Sequence, residues 1–176
     1  MDKEYPFITY LEQLRESPDA RAAFAALRRG LGRDPGSEPA MFPYVVRWLP
    51  SSASQWNERA HYLIAALFAY HPQAGGAGNL GAAFKRAARD ETDTTALERR
   101  FSALLAAHPE DLGFYLRQAI SFLKSKDVPV NWQQLFGDVL AWGAPEGYVQ
   151  RAWAYAYWGR QRDEQDTPAN SETPAS

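Results

Sequence analysis

The segment Thr94–Gly159, TTALERRFSALLAAHPEDLGFYLRQAISFLKSKDVPVNWQQLFGDVLAWGAPEGYVQRAWAYAYWG, decides the fold class. Leu97, Phe101, Leu104, Leu105 and His108 recur at helical spacing, and Pro109 breaks the pattern. A second stripe follows in Leu112, Leu116, Ala119, Ile120 and Leu123, within a helix expected from Glu110 to about Ser125. Asn131 is placed to cap a third helix carrying Trp132, Leu135, Phe136, Val139, Leu140 and Trp142, with Gly143 to end it. Ala144-Pro145-Glu146 is expected to open a last helix reaching about Gln161. Apolar residues three and four apart mean amphipathic helices, and no comparable run alternates with period two.

Working outward, the same grammar extends to the N-terminus. Tyr5–Glu16 reads as a first helix. Ser17-Pro18-Asp19 opens a second that buries Ala20, Ala23, Phe24 and Leu27, with Leu31 near its end. After a loop, Pro39, Pro43 and Pro50 fragment a short helical stretch before Trp48. Ser54 caps a longer helix to about Tyr70 with a stripe of Trp56, Ala60, Leu63, Ile64 and Leu67. HPQAGGAGNLG reads as a flexible glycine-rich connection whose Asn79 caps a short helix. Thr94 or Thr95 caps the next. The expected fold is all-α, two small helical bundles. They comprise an N-terminal subdomain over 1–90 and a four-helical C-terminal bundle over 91–162, followed by a polar, disordered tail over 163–176.

Composition narrows the function. Among 176 residues there is no cysteine, which removes disulfides, thiolate metal sites and cysteine nucleophiles. The charged, Pro6-broken N-terminus is not a signal peptide, and no apolar run approaches the ~20 residues that span a bilayer. A cytoplasmic protein without membrane contact is expected. Formal net charge is −2, so a polyanion-binding surface would have to be a local patch.

A search for catalytic chemistry finds little. Gly76–Gly81 contains a literal GxGxxG, but a helix precedes it and no parallel-strand pattern surrounds it. His61, His71 and His108 have no metal-ligand spacing, and packing or helix ends account for them. Glu12 and Glu16 lie on a solvated face, while Glu110 and Asp111 suit a helix N-terminus. No enzyme and no cofactor is expected.

The basic residues are better organised. Arg117 and Lys124, seven apart, lie about 10 Å apart along one side of a helix with Ser121 beside them. Two cations and a hydroxyl in a row suit backbone phosphates, although solvated charges look the same. The pattern recurs in Arg21, Arg28 and Arg29, in Lys85, Arg86 and Arg89, in Arg99 and Arg100, and in Lys124 and Lys126. In the last helix Arg151, Tyr155, Trp158 and Arg162 share a face. Tyr148, Trp153 and Tyr157 occupy others, a pattern that favours packing or subunit contact over base stacking.

The segments AFAALRRGLG (Ala23–Gly32), NLGAAFKRAAR (Asn79–Arg89), LERRFSALL (Leu97–Leu105), LGFYLRQAISFLKSK (Leu112–Lys126) and NWQQLFGDVLAWG (Asn131–Gly143), with the aromatic closing helix, carry a resemblance. In order and spacing they resemble the CasB family, the small subunit of the type I-E CRISPR interference complex, Cascade. The resemblance implies an all-helical, non-catalytic subunit, two copies of which sit in the RNA-guided complex. It implies as partners other Cascade subunits, CRISPR RNA, target DNA and a second copy of the chain. It also implies contact with the displaced DNA strand through its sugar-phosphate backbone, stabilising the R-loop. Carried onto this chain, the family's basic surface falls on Arg28 and Arg29, Lys85 and Arg86, Arg99 and Arg100, Arg117 and Lys124, with Arg151 a lesser member.

Overall fold

The computed structural model describes residues 3–160. The expected tail over 163–176, and Arg162, lie outside the described residues. Those residues form helices, turns and loops without a strand, as the periodicity requires. α1 spans Pro6–Arg15, α2 Ala20–Arg28, α3 Phe42–Val45 and α4 Gln55–Tyr70. α5 spans Leu80–Ala87, α6 Thr95–Leu105, α7 Leu112–Ser125, α8 Trp132–Leu140 and α9 Tyr148–Trp158.

The helix starts follow from short polar side chains that satisfy otherwise unpaired N–H groups. Ser54 accepts from the Asn57 N–H at 3.1 Å, Asn79 from Ala82 at 3.1 Å and Asn131 from Gln134 at 3.0 Å. The α6 start departs from expectation: Thr94 occupies the N-cap position, but the Asp93 carboxylate accepts from Thr95 N–H at 2.9 Å. The Thr94 hydroxyl instead donates to Glu98 at 3.2 Å.

α4 is the hub. It packs against α2, α7 and α8, and Tyr62, Ala65, Ala66, Phe68 and Ala69 are buried in addition to Ala60, Ile64 and Leu67 of the expected stripe. A helix surrounded by others loses its polar face, which explains why its apolar content exceeds a single stripe. α5, in the 1–90 segment, crosses α9 closely. A Cβ on Gly81 would collide with the Trp153 carbonyl, so only glycine permits this approach. Contacts of α5 with α9 and of α4 with α8 join the 1–90 and 91–162 segments in one hydrophobic core centred on Phe68, Phe101, Trp132, Trp142 and Trp153.

Three local expectations are corrected. The glycine-rich connection is tied down: Val130 N–H donates to Gln73 at 3.1 Å, Gly76 N–H to Val130 at 3.4 Å, and Gly76 has no room for a Cβ beside Pro129. The last helix begins at Tyr148, because Glu146 and Gly147 adopt left-handed φ of 72° and 60° and interrupt the path from Pro145. His108 is exposed at the start of a 3-10 turn, where its Nδ1 accepts from Glu110 N–H at 3.4 Å. His61 and His71 are buried. His61 Nδ1 bonds the Asn57 carbonyl at 2.7 Å between the rings of Phe7 and Phe136, and burial holds its pKa below the ordinary value. His71 Nε2 bonds the Val128 carbonyl at 2.8 Å.

Candidate nucleic-acid interface

α7 buries all five residues of its expected stripe and turns the opposite side outward. That outer side carries Phe114, Arg117, Gln118, Ser121, Lys124 and Ser125. α6 packs alongside and places Arg100 across a shallow groove from them. Arg100, Phe114, Arg117, Ser121 and Ser125 thus line one concave surface. Neither Arg100 nor Arg117 has a salt-bridge or hydrogen-bond partner among the described residues. Two guanidiniums with free donors, flanked by hydroxyls, match the donors that contact phosphate oxygens in nucleic-acid complexes.

The Arg117 guanidinium lies against Gly32, where a Cβ would displace Nη1 at the end of a flexible side chain. Gly32 has φ of 71°, so the loop path there favours glycine.

The other sequence-predicted cations separate into distinct roles. Arg28 Nη1 donates to the Ala69 carbonyl at 3.3 Å, and Lys124 Nζ donates to the Tyr70 carbonyl at 2.9 Å. These are consecutive carbonyls at the end of α4, where the helix has run out of its own donors and its dipole favours cations. Lys85 Nζ does the same for α9, donating to the Gly159 carbonyl at 2.9 Å. Arg86 Nη1 donates to Ala77 at 2.8 Å and braces the loop before α5. Arg29 lies 3.5 Å from Glu38, a buried carboxylate that also takes Arg33 at 3.2 Å and accepts from Ala40 N–H at 3.3 Å. Lys126 pairs with Glu91. Arg99 is exposed on α6 and does not line the groove. Arg151 is exposed on α9, a different element.

The structure therefore brings Arg100 and Arg117 together, places Lys124 farther along α7 with Arg28 on the neighbouring carbonyl of α4, and leaves Arg29, Lys85, Arg86, Arg99 and Arg151 outside the groove. Sequence reasoning missed Phe114, Gln118 and Ser125 as groove residues and Glu38 as the acid that occupies Arg29. The available signal for Phe114 was an aromatic lying off the apolar stripe of its own helix. Glu38 precedes Pro39 at the start of a helical turn, a position that favours an acidic cap.

α9 is exposed along one side, which takes in Tyr148 although it was expected on another face. Tyr148, Tyr155 and Trp158 are 52%, 73% and 47% exposed, whereas Val149, Trp153 and Tyr157 enter the core. Asp138, buried on α8, accepts from Trp153 Nε1 at 2.6 Å and from Gln134 Nε2 at 2.8 Å. Burial pushes its pKa above the ordinary carboxylate value despite these donors. Among the described residues no three His, Asp or Glu side chains gather as a metal site, and no helix is long and apolar enough to cross a membrane.

Fold and groove define an all-α protein that presents a local cationic surface on an otherwise near-neutral chain. Residues 23–158 match the family described as CRISPR-associated protein Cse2, and the chain belongs to that family. A CRISPR-associated protein Cse2 of Thermus thermophilus is 35% identical over 162 residues, covering 91% of this chain and 92% of the relative. The crystal structure of a Cse2-family protein from the same organism superposes with a TM-score of 0.80 at 33% identity, covering 91% of this chain and 100% of the other. A chain in a solved structure described as a CRISPR RNA-guided surveillance complex has a TM-score of 0.70 at 25% identity, with 86% and 92% coverage.

Proposed function

We propose that this chain is a non-catalytic small subunit of a type I-E CRISPR RNA-guided surveillance complex, Cascade, acting in the cytoplasm. In this reading it holds the displaced DNA strand by its sugar-phosphate backbone and so stabilises the R-loop. Its partners are the other Cascade subunits, CRISPR RNA, target DNA and a second copy of itself. The observation that carries the nucleic-acid part is the groove in which Arg100 and Arg117 face outward beside Ser121 and Ser125, without an anion among the described residues. Family membership and the likeness to a chain of a surveillance complex support the assembly part.

The physical logic is modest in scale. Exchange of a DNA duplex for an RNA–DNA heteroduplex is nearly balanced, so a few backbone contacts to the released strand can tip it. Such contacts carry no sequence information, which the guide supplies. A chain of net charge −2 with a cationic groove suits a subunit that grips a strand locally rather than coating nucleic acid. The test is R-loop retention by a reconstituted complex carrying Arg100→Glu and Arg117→Glu. Faster loss of the R-loop with unchanged assembly supports the reading, and unchanged retention contradicts it.

A second reading has its own observation. The exposed Tyr148, Tyr155 and Trp158 on α9 suit a protein–protein contact, since aromatics dominate the buried centres of interfaces. On that reading the chain is a helical interaction module without direct nucleic-acid contact. Partner binding that is insensitive to salt, and that Trp158→Ala abolishes without unfolding the chain, would favour it.

A further inference from the structure

Beside the groove lies a cavity of about 330 Å³, between α4, α7 and the loop 30–36. Leu31, Met41, Leu63 and Leu67 give it an apolar interior. The exposed part of its lining, at the mouth, includes Phe114 and Arg117, which also line the groove. It also includes Asp34, paired with Arg59 at 2.9 Å. Phe114 is 64% exposed at the junction between the two concavities.

We propose that this cavity receives a single nucleobase turned out from a strand whose phosphates lie on Arg100 and Arg117. The inference rests on the reading of the groove as a backbone-binding surface and adds to it a place for a base. Size supports one ring system rather than two nucleotides, because the cavity lies at the lower end of the ~300–1,000 Å³ typical of small-ligand sites. Its chemistry suits a flat, largely apolar ring with polar edges. Apolar walls and an aromatic edge receive the ring face. The Arg59–Asp34 pair offers a donor and an acceptor at the mouth, where a base presents its carbonyl, ring-nitrogen and amino groups. Sharing of Arg117 by both concavities favours a nucleotide over an aromatic side chain of a protein partner. A phosphate at Arg117 sets its own base at the mouth, whereas an aromatic peptide side chain brings no anion of its own to that guanidinium. Arg33 and Arg59 already have carboxylate partners in Glu38 and Asp34, while Arg117 has none among the described residues.

The test uses the full-length chain and two fluorescent single-stranded oligonucleotides of matched length at low salt. One has an ordinary mixed sequence, and the other is an abasic sugar-phosphate strand. The proposal predicts tighter binding of the ordinary strand by about fivefold or more, the effect of one stacked base. Phe114→Ala, at an exposed position, and Leu63→Trp, which narrows the cavity from a residue outside the groove, should each bring the ordinary strand to the abasic level. Arg117→Ala should weaken both strands alike. Equal affinity of the native chain for the two strands overturns the base pocket and leaves the groove reading intact. It is also the result expected if a partner's aromatic side chain fills the cavity. A base preference that survives both Phe114→Ala and Leu63→Trp likewise overturns the pocket. Salt-insensitive binding, or none to either strand, overturns the groove reading and the pocket with it.

Discussion

Lys124 donates from Nζ to the backbone carbonyl of Tyr70 at 2.9 Å while the same ammonium lies 4.1 Å from the centre of the Tyr70 ring. One cation thus closes the end of α4 and covers its last aromatic residue, whose hydroxyl in turn is 3.2 Å from Ser121 Oγ. The residue that looks most like a phosphate ligand beside Arg117 is already engaged in holding two helices together.

This arrangement separates stability from binding. Lys124→Ala should lower stability by about 0.5–1.5 kcal/mol, the net worth of a partly exposed hydrogen bond with its cation–aromatic contact. Arg117→Ala should leave stability within about 0.5 kcal/mol, as expected at an exposed position without a partner, yet weaken nucleic-acid binding more than Lys124→Ala does. Denaturant melts and anisotropy on the two variants check both halves.

Asp138 supplies a second prediction. Asp138→Ala strands the indole N–H of Trp153 in the core and should cost about 1–3 kcal/mol, the penalty of an unsatisfied buried donor. Asp138→Asn keeps an acceptor for Trp153, and Gln134 can turn its amide to face the new NH₂ group, so a much smaller loss is expected at neutral pH.

The pH dependence of that pair has a definite sign. The folded-state pKa of Asp138 is raised, chiefly by burial, so its ionised form is costly in the fold at neutral pH. That cost is relieved as pH falls through the raised folded value and is gone below the unfolded value near 3.8. The native chain should therefore gain stability relative to Asp138→Asn as pH drops through that window. Paired melts at several pH values would show a constant difference if Asp138 were not perturbed.

On α9, Tyr155→Ala should leave the fold within about 0.5 kcal/mol of native stability, because the ring is 73% exposed. If this face meets another subunit, the same substitution should weaken assembly by about 2 kcal/mol or more, as truncation of a central interface aromatic does. A pull-down with quantified subunit ratios distinguishes this from a surface with no partner.

The helices themselves were largely legible. Ser54, Asn79 and Asn131 announce their helices because capping is local, and the α7 stripe was readable residue by residue. The start of α9 was not, since Glu146 takes a left-handed conformation that its residue type does not advertise. The site was only partly legible for a different reason. Arg28, Lys85 and Lys124 look like free cations until tertiary packing brings carbonyl groups from distant helix ends to them. Arg29 likewise looks free until the chain folds Glu38 against it. Arg100 and Arg117 stand out only once α6 and α7 pack side by side, an adjacency that no spacing within either helix encodes.

The most direct measurement is salt-titrated anisotropy of labelled single-stranded DNA with the native chain and with Arg100→Glu/Arg117→Glu. The account predicts a linear fall of log affinity with log salt, and a slope reduced in the variant by about 0.7 for each phosphate that the chain no longer neutralises. It also predicts an unchanged helical circular-dichroism spectrum. An identical slope and affinity in the folded variant would contradict the assignment of this groove as the nucleic-acid surface.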